Sequence, residues 1–201
     1  MRDTYFPEDK NKVFVYDNVL DAKTQDLVSD TLLDQYFPWH TTIQHGTVTK
    51  EDQEELADQN VFEYMQFSHT FVVDGKQTSA YVDLMNLVVT KIQKKLDKNF
   101  LFSRIKTNLQ TKVELNRKLF NTPHRDSVDY QHTVMLYYVN DADTPTYIFK
   151  NNQAPWEIEH TVESKKGRVV IFDGSKFHAG AHPQTGCRAV INFNITSIKD
   201  T

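Results

Sequence analysis

The chain has 201 residues, 39% apolar and 12% aromatic, with 23 Lys+Arg against 27 Asp+Glu for a formal charge of −4. That length suits one domain, the apolar content excludes a disordered chain, and the lack of a basic excess argues against nucleic-acid binding through phosphates. The lone cysteine, Cys187, forms no internal disulfide and suits a reducing compartment. The start Met1-Arg2-Asp3-Thr4-Tyr5 is polar, and the longest apolar runs, such as 134–139, are strand-sized. These features predict a cytoplasmic protein of one domain over residues 1–201, with no membrane or nucleic-acid partner.

In chain order, residues 13–16 are β-branched and aromatic and read as a short strand. Asp21 is placed to cap a helix that runs through Leu27, Leu32 and Leu33 and ends near Pro38. The Tyr36-Phe37-Pro38-Trp39-His40 segment that follows is either a lip over a cleft or a staple packed on the core. The acidic stretch 51–60 reads as a solvated helix or loop. From Ser79 onward, Tyr81, Leu84, Val88, Ile92 and Leu96 step by three or four, a helical stripe. Lys91, Lys94, Lys95 and Lys98 complement the dipole near its end.

After residue 100 the period changes to two. Segments 102–109, 111–115, 133–139, 146–149, 156–160, 168–172 and 188–195 read as strands, separated by turn sequences. Short strands without intervening helices predict an antiparallel sandwich or barrel. Segments 169–172 and 190–191 are apolar on both faces and must be covered on both, with the helices of the first half as the cover. The predicted class is α+β, mostly β: a helical or mixed part over 1–100 and a β core over about 101–198.

Of eight histidines, His40, His45, His69, His132 and His160 stand alone among polar or aromatic neighbours and read as surface or structural residues. His124-Arg125-Asp126 differs, although with 8 His and 18 Asp about one His-x-Asp triplet is expected by chance. Its context adds the weight. It follows the turn Asn121-Thr122-Pro123 on an extended segment, where residues i and i+2 point the same way. His178 lies 52 residues past Asp126, just after an apolar strand. Two histidines and a carboxylate make the facial triad of non-haem Fe(II) enzymes, with three coordination positions left open; a zinc hydrolase stays compatible with the ligand types. His182 competes with His178. Residues four apart on a strand sit roughly 13 Å apart, so both cannot bind one ion, and Gly180 and Pro183 oppose a helix that would unite them. Arg188 opens the last strand, where a guanidinium is costly unless an anion meets it; a dicarboxylate that chelates the metal at one end would place its other end there.

With these residues assembled, the sequence resembles the Fe(II)/2-oxoglutarate-dependent oxygenases, in the branch of the prolyl 4-hydroxylases. The resemblance rests on His124-x-Asp126, His178-x-Gly180 and Arg188, on Leu136-Tyr-Tyr-Val-Asn140, and on the approach Lys166-Gly-Arg-Val-Val-Ile-Phe172. It is specific over 113–195, and the opening 13–20 followed by a helix is also similar. It implies a double-stranded β-helix (jelly roll) with N-terminal helices on one face, Fe(II) held by His124, Asp126 and His178, and 2-oxoglutarate and O2 as cosubstrates. It also implies that Arg188 grips the 5-carboxylate of 2-oxoglutarate, with Tyr138 and Asn192 assisting, and that His178 rather than His182 is the third ligand. The implied reaction couples decarboxylation of 2-oxoglutarate to succinate and CO2 with hydroxylation of a C–H bond, on a prolyl residue or a small amino-acid-like substrate. Two positions depart from the family pattern. Asp143-Thr-Pro-Thr146 replaces the usual Gly-Gly-x-Thr, and Glu114 stands where some members carry a tyrosine.

The rival readings are a catalytically silent jelly-roll binding module, a cupin-type metalloenzyme without cosubstrate, and a zinc hydrolase. Cupins more often use His-x-His with a nearby glutamate, and a zinc hydrolase leaves Arg188 without a task. Cosubstrate dependence separates all of them.

Overall fold

The computed structural model describes residues 10–42, 65–114 and 120–200. Within them, strands β1 (Phe14–Tyr16), β2 (His40–Thr42), β3 (Gln66–Val73), β4 (Lys76–Gln77), β5 (Lys98–Thr111), β6 (Thr133–Tyr138), β7 (Thr146–Phe149), β8 (Ile158–Val162), β9 (Val169–Asp173), β10 (His178–Ala179) and β11 (Cys187–Asp200) alternate with helices α1 (Ala22–Leu32) and α2 (Val82–Leu96). The larger sheet runs β1-β9-β6-β11-β5-β3-β2, with β4 hairpinned onto β3, and the smaller runs β10-β7-β8. Every pairing in both sheets is antiparallel. The fold class is therefore α+β and mostly β, as the change of period predicts.

The central strands show why they must be apolar on both faces. Met135, Tyr137, Val169, Ile171, Ile191 and Phe193 join a core with Val28 and Leu32 of α1 and Met85, Val88 and Ile92 of α2. Their alternate neighbours Val134, Leu136, Tyr138, Val170, Phe172 and Val190 pack instead with Ile148 and Val162 of the smaller sheet. Helices thus cover one face and the second sheet covers the other.

Both helices follow their sequence signals. The Asp21 carboxylate accepts from the Thr24 amide, capping α1. On α2 the buried residues are Val82, Met85, Val88 and Ile92, so the stripe is rotated by about one residue from the expected one. Asp97 closes α2 in the left-handed conformation. Phe37 lies in the core among Trp39, His69, Phe71 and Tyr81, so the staple reading of 36–40 holds, while Tyr36, Pro38 and His40 are exposed.

Three expectations are corrected. The segment 102–109 is part of a longer strand, because β5 pairs with β11 from Thr111↔Cys187 to Lys98↔Asp200. No separate strand occupies 111–115: the Lys112 and Val113 amides donate to Gly186 and Pro183 in the turn before β11, and residue 115 lies outside the described residues. The strand expected over 156–160 forms as Ile158–Val162. Strands β2, β3, β4 and β10 have no counterpart in the expected elements. Strands β3 and β4 are joined at Asp74-Gly75, both at positive φ, which is the turn that Asp-Gly favours in a hairpin. The acidic stretch 51–60 and His45 lie outside the described residues. Among the described residues, no helix is long and apolar enough to cross a membrane.

The edge strand β1 is held by charge as well as by its ladder. Arg168 donates from Nε and Nη2 to the two carboxylate oxygens of Asp17, at 2.7 and 3.0 Å. That hydrogen bond, the largest cause, lowers the Asp17 pKa to about 2. A depressed carboxylate pKa stabilises the fold above the unfolded-state value, and the gain disappears as pH falls through the folded value. Because Asp17 is more than one-third exposed, screening limits the effect to about 1 kcal/mol or less. Asp17→Asn should therefore lower urea stability slightly at pH 7, and the difference from wild type should vanish between about pH 4 and pH 2. A difference that persists at pH 2 would show that Asp17 acts through packing.

Candidate metal centre

His124 and His178 are joined through their backbones before any ion is considered. The His124 amide donates to the His178 carbonyl at 3.1 Å, and the His178 amide returns the bond at 3.0 Å. His178 begins β10, which pairs with β7, so the smaller sheet carries both imidazoles, with centroids 4.8 Å apart. Each ring donates Nδ1–H to the carbonyl two residues earlier, His124 to Thr122 at 3.1 Å and His178 to Lys176 at 3.4 Å. That fixes the tautomer and leaves the Nε2 lone pairs available.

Asp126 completes the group from the loop and is held by the larger sheet. The Asn192 amide donates to both carboxylate oxygens, at 3.1 and 2.9 Å, and Arg104 Nη2 donates to Oδ1 at 2.9 Å. Ligand atoms of His124, Asp126 and His178 all lie within 4.8 Å of one another, and His178 Nε2 is 4.0 Å from Asp126 Oδ2. Two imidazoles and one carboxylate, aimed at a common point, fit a divalent iron. Burial raises the Asp126 pKa, but the His178, His124 and Arg104 charges and the Asn192 amide outweigh it and bring the value down to about 2. Burial presses His178 to about 4 against the pull of Asp126, so at neutral pH the ring is uncharged and free to ligate.

Arg188 sits on the same face of β11 as Asn192, four residues away, because alternate residues of a strand share a face. It is 4% exposed, and all its partners are neutral: Ser164 Oγ at 3.0 Å, Gln110 Oε1 at 3.0 Å and Thr146 Oγ1 at 2.6 Å. Among the described residues no carboxylate pairs with it. Burial lowers its pKa, the mark of a cation held without a counter-ion. Tyr138 lies fully buried beneath it, its ring 5.7 Å from the guanidinium, and its hydroxyl donates to Thr146 Oγ1 at 2.7 Å.

Thus His124, Asp126, His178, Arg188 and Asn192 meet around one cavity of about 330 Å3. Asn192, expected beside the far carboxylate, is committed to Asp126 at the metal end. Tyr138 does not line the cavity itself and stands behind Arg188 and Thr146. His182 points elsewhere, with Nδ1 3.2 Å from the Thr111 carbonyl. His69 is structural, bonded to the Pro38 carbonyl and Ser79 Oγ.

Sequence reasoning missed the wall made by β5. Arg104, Lys106, Asn108 and Gln110 line the cavity, whereas Ile105, Thr107 and Leu109 turn away from it. A polar residue at every second position of a predicted strand was the available signal. Thr146, within the sequence that departs from the family pattern, accepts from both Arg188 and Tyr138.

At the level of sequence, no family model and no curated protein matches the chain. Its fold is that of the Fe(II)/2-oxoglutarate oxygenases, prolyl hydroxylases among them. A prolyl hydroxylase from Trichoplax adhaerens, in complex with a hypoxia inducible factor oxygen degradation domain peptide fragment, superposes with a TM-score of 0.59 at 12% identity, covering 92% of this chain and 84% of that one. The non-heme alpha ketoglutarate dependent epimerase SnoN from nogalamycin biosynthesis gives 0.60 at 13% identity, over 95% and 79%. SnoN in complex with Fe3+, alpha ketoglutarate and nogalamycin RO gives 0.58 at 13%, over 95% and 80%.

Proposed function

We propose that this protein is a non-haem Fe(II) dioxygenase that uses 2-oxoglutarate and O2 to hydroxylate a C–H bond of a small molecule or peptide. The observation that carries the reading is the pairing, in one cavity, of a His-Asp-His cluster with a buried arginine that has no counter-ion among the described residues. A silent binding module has no reason to hold such a cation at the cost of its desolvation. The two sheets that sandwich the cavity are read as the double-stranded β-helix, and the binding of Fe3+ and alpha ketoglutarate by SnoN supports the cofactor assignment.

When bound, Fe(II) with 2-oxoglutarate supplies the oxidation, converting 2-oxoglutarate and O2 to succinate, CO2 and the inserted oxygen. The chain supplies position. His124, Asp126 and His178 hold one face of the ion, and Asn192 and Arg104 keep the Asp126 carboxylate ionised and oriented. Arg188 takes the far carboxylate of the cosubstrate, and Thr146, whose oxygen already accepts from Arg188 and Tyr138, keeps its own proton for that carboxylate. Leu136 and Val190 give the cavity an apolar wall between the two ends.

Anaerobic titration of metal-free protein with Fe(II) and then 2-oxoglutarate tests the proposal through the metal-to-ligand charge-transfer band in the visible. A band that needs both additions is the expected result. Metal binding without a band would move the assignment to a cupin-like or zinc enzyme.

Gly180 offers a subtler check. A Cβ there would lie 2.8 Å from Arg188 Nη1 and 3.2 Å from Gln110 Oε1, so only glycine lets the guanidinium sit where it does. Gly180→Ala should raise the KM for 2-oxoglutarate about tenfold, the loss of one good hydrogen bond to a charged group, and leave the Fe(II) affinity unchanged. Equal losses in both would mean that the substitution disturbs β10 rather than Arg188.

A further inference from the structure

The cavity has a charge pattern that the iron and the cosubstrate do not absorb. Among the described residues, its charged lining consists of Arg104, Lys106, Arg125 and Arg188 against the carboxylate of Asp126, in a chain whose net charge is −4. Arg104 is neutralised by Asp126, and Arg188 is assigned to the cosubstrate. A divalent cation and a dicarboxylate cancel each other, so adding both leaves the excess of positive charge in place.

The excess sits at the open end. Lys106 pairs in register with Asn192, the residue that holds Asp126, and not with Arg188, whose neighbour on β5 is Gln110. Lys106 is therefore beside the metal cluster, about four residues or roughly 13 Å along the strand from the far-carboxylate end. It is half-buried and makes no salt bridge or hydrogen bond among the described residues. Burial and then the Arg104 charge lower its pKa, against a smaller upward pull from the Asp126 carboxylate, which is already bonded to Arg104 and Asn192. Arg125, between two metal ligands in sequence, projects over the Phe177 ring at 5.2 Å and forms the exposed rim. A surface lysine needs no explanation, but one held inside a reaction cavity, with no salt bridge and with its neighbouring carboxylate already bonded to Arg104 and Asn192, is placed for a ligand.

We infer that the substrate carries an anionic group, a carboxylate or phosphate, which Lys106 and Arg125 receive beside the carbon to be hydroxylated. The inference rests on the oxygenase reading for the identity of the reacting carbon, but the anion site itself needs neither iron nor 2-oxoglutarate. A neutral substrate would leave Lys106 desolvated and unpaired in the complex, and its affinity would suffer. An acidic substrate also gains in capture, since a cationic cavity with apolar walls focuses its field outward.

The test is done on metal-free protein, where chelation cannot confuse it. Binding is measured by calorimetry for matched pairs: L-aspartate and L-asparagine, L-glutamate and L-glutamine, O-phosphoserine and serine, each free and as the N-acetylated amide. The free and blocked forms separate an amino acid from a residue within a peptide. The expected result is that at least one acidic member binds at least about tenfold more tightly than its neutral partner, with affinity falling as salt rises. Lys106→Gln should remove that preference, and Lys106→Arg, which keeps the charge, should retain it. Equal affinity within every pair, no binding by any acidic probe, or a preference lost in Arg188→Met and kept in Lys106→Gln would each overturn the inference; the last would put the anion in the cosubstrate end. Acid-selective binding through Lys106, with no charge-transfer band in the iron titration, would leave the anion site standing and sink the oxygenase reading alone.

Discussion

His124→Ala should lower Fe(II) affinity by more than about a hundredfold and leave the metal-free protein folded. Loss of a residue that merely supports a ligand already costs about 10–100-fold, so loss of a ligand must exceed it. The fold should tolerate the change because His124 is tied to His178 through backbone amides and carbonyls, which alanine keeps. Its imidazole is partly exposed and leaves no buried partner stranded beyond the Thr122 carbonyl. Asp126→Ala should lose iron to the same extent but differ in stability. It removes the acceptor of Arg104 and of both Asn192 contacts, and a buried donor left unmade costs about 1–3 kcal/mol. Iron titration and thermal unfolding of the two variants side by side separate ligation from support. Wild-type iron affinity in either variant would remove the cluster from the mechanism.

Arg188→Met should raise the 2-oxoglutarate requirement about a hundredfold, from the loss of two charge-assisted bonds of about 1.5 kcal/mol each. Iron binding should stay near wild type, because Arg188 makes no contact with His124, Asp126 or His178. The stability effect should be small. Methionine removes the desolvation cost of the buried guanidinium but also leaves the Ser164, Gln110 and Thr146 acceptors without its donors, and the two changes offset each other in the metal-free protein. A normal 2-oxoglutarate dependence would place the cosubstrate's far end elsewhere. A large drop in melting temperature would mean that Ser164, Gln110 and Thr146 depend on Arg188 for their own satisfaction.

Both results depend on residues whose chemistry was legible in the chain. His124, Asp126, His178 and Arg188 stand in a pattern of types and spacings that needs no coordinates, and turn residues flank each group. The helices were legible for local reasons: Asp21 caps its own helix three residues ahead, and the apolar stripe of α2 repeats at the helical period. Strand β3 was not read, although Asp74-Gly75 marked its turn, because Phe71-Val72-Val73 is short and its partner strand begins more than twenty residues later in sequence. The long reach of β5 was equally hidden, since a strand's length is set by the neighbour it pairs with and not by its own residues.

The sequence by itself determined the ligand types, the cation at the start of the last strand and the antiparallel β character, because each follows from side-chain chemistry or from a period within one segment. Tertiary structure alone decided which side chains share a point. The register of β5 against β11 put Gln110 beside Arg188 and Lys106 beside Asn192. The backbone bond between residues 124 and 178 brought the imidazoles together across more than fifty residues. Asn192 was sent to Asp126, and Thr146 to Arg188. Side-chain directions in a sheet change face with every single-residue shift of pairing, and that pairing is chosen by the burial of the whole core.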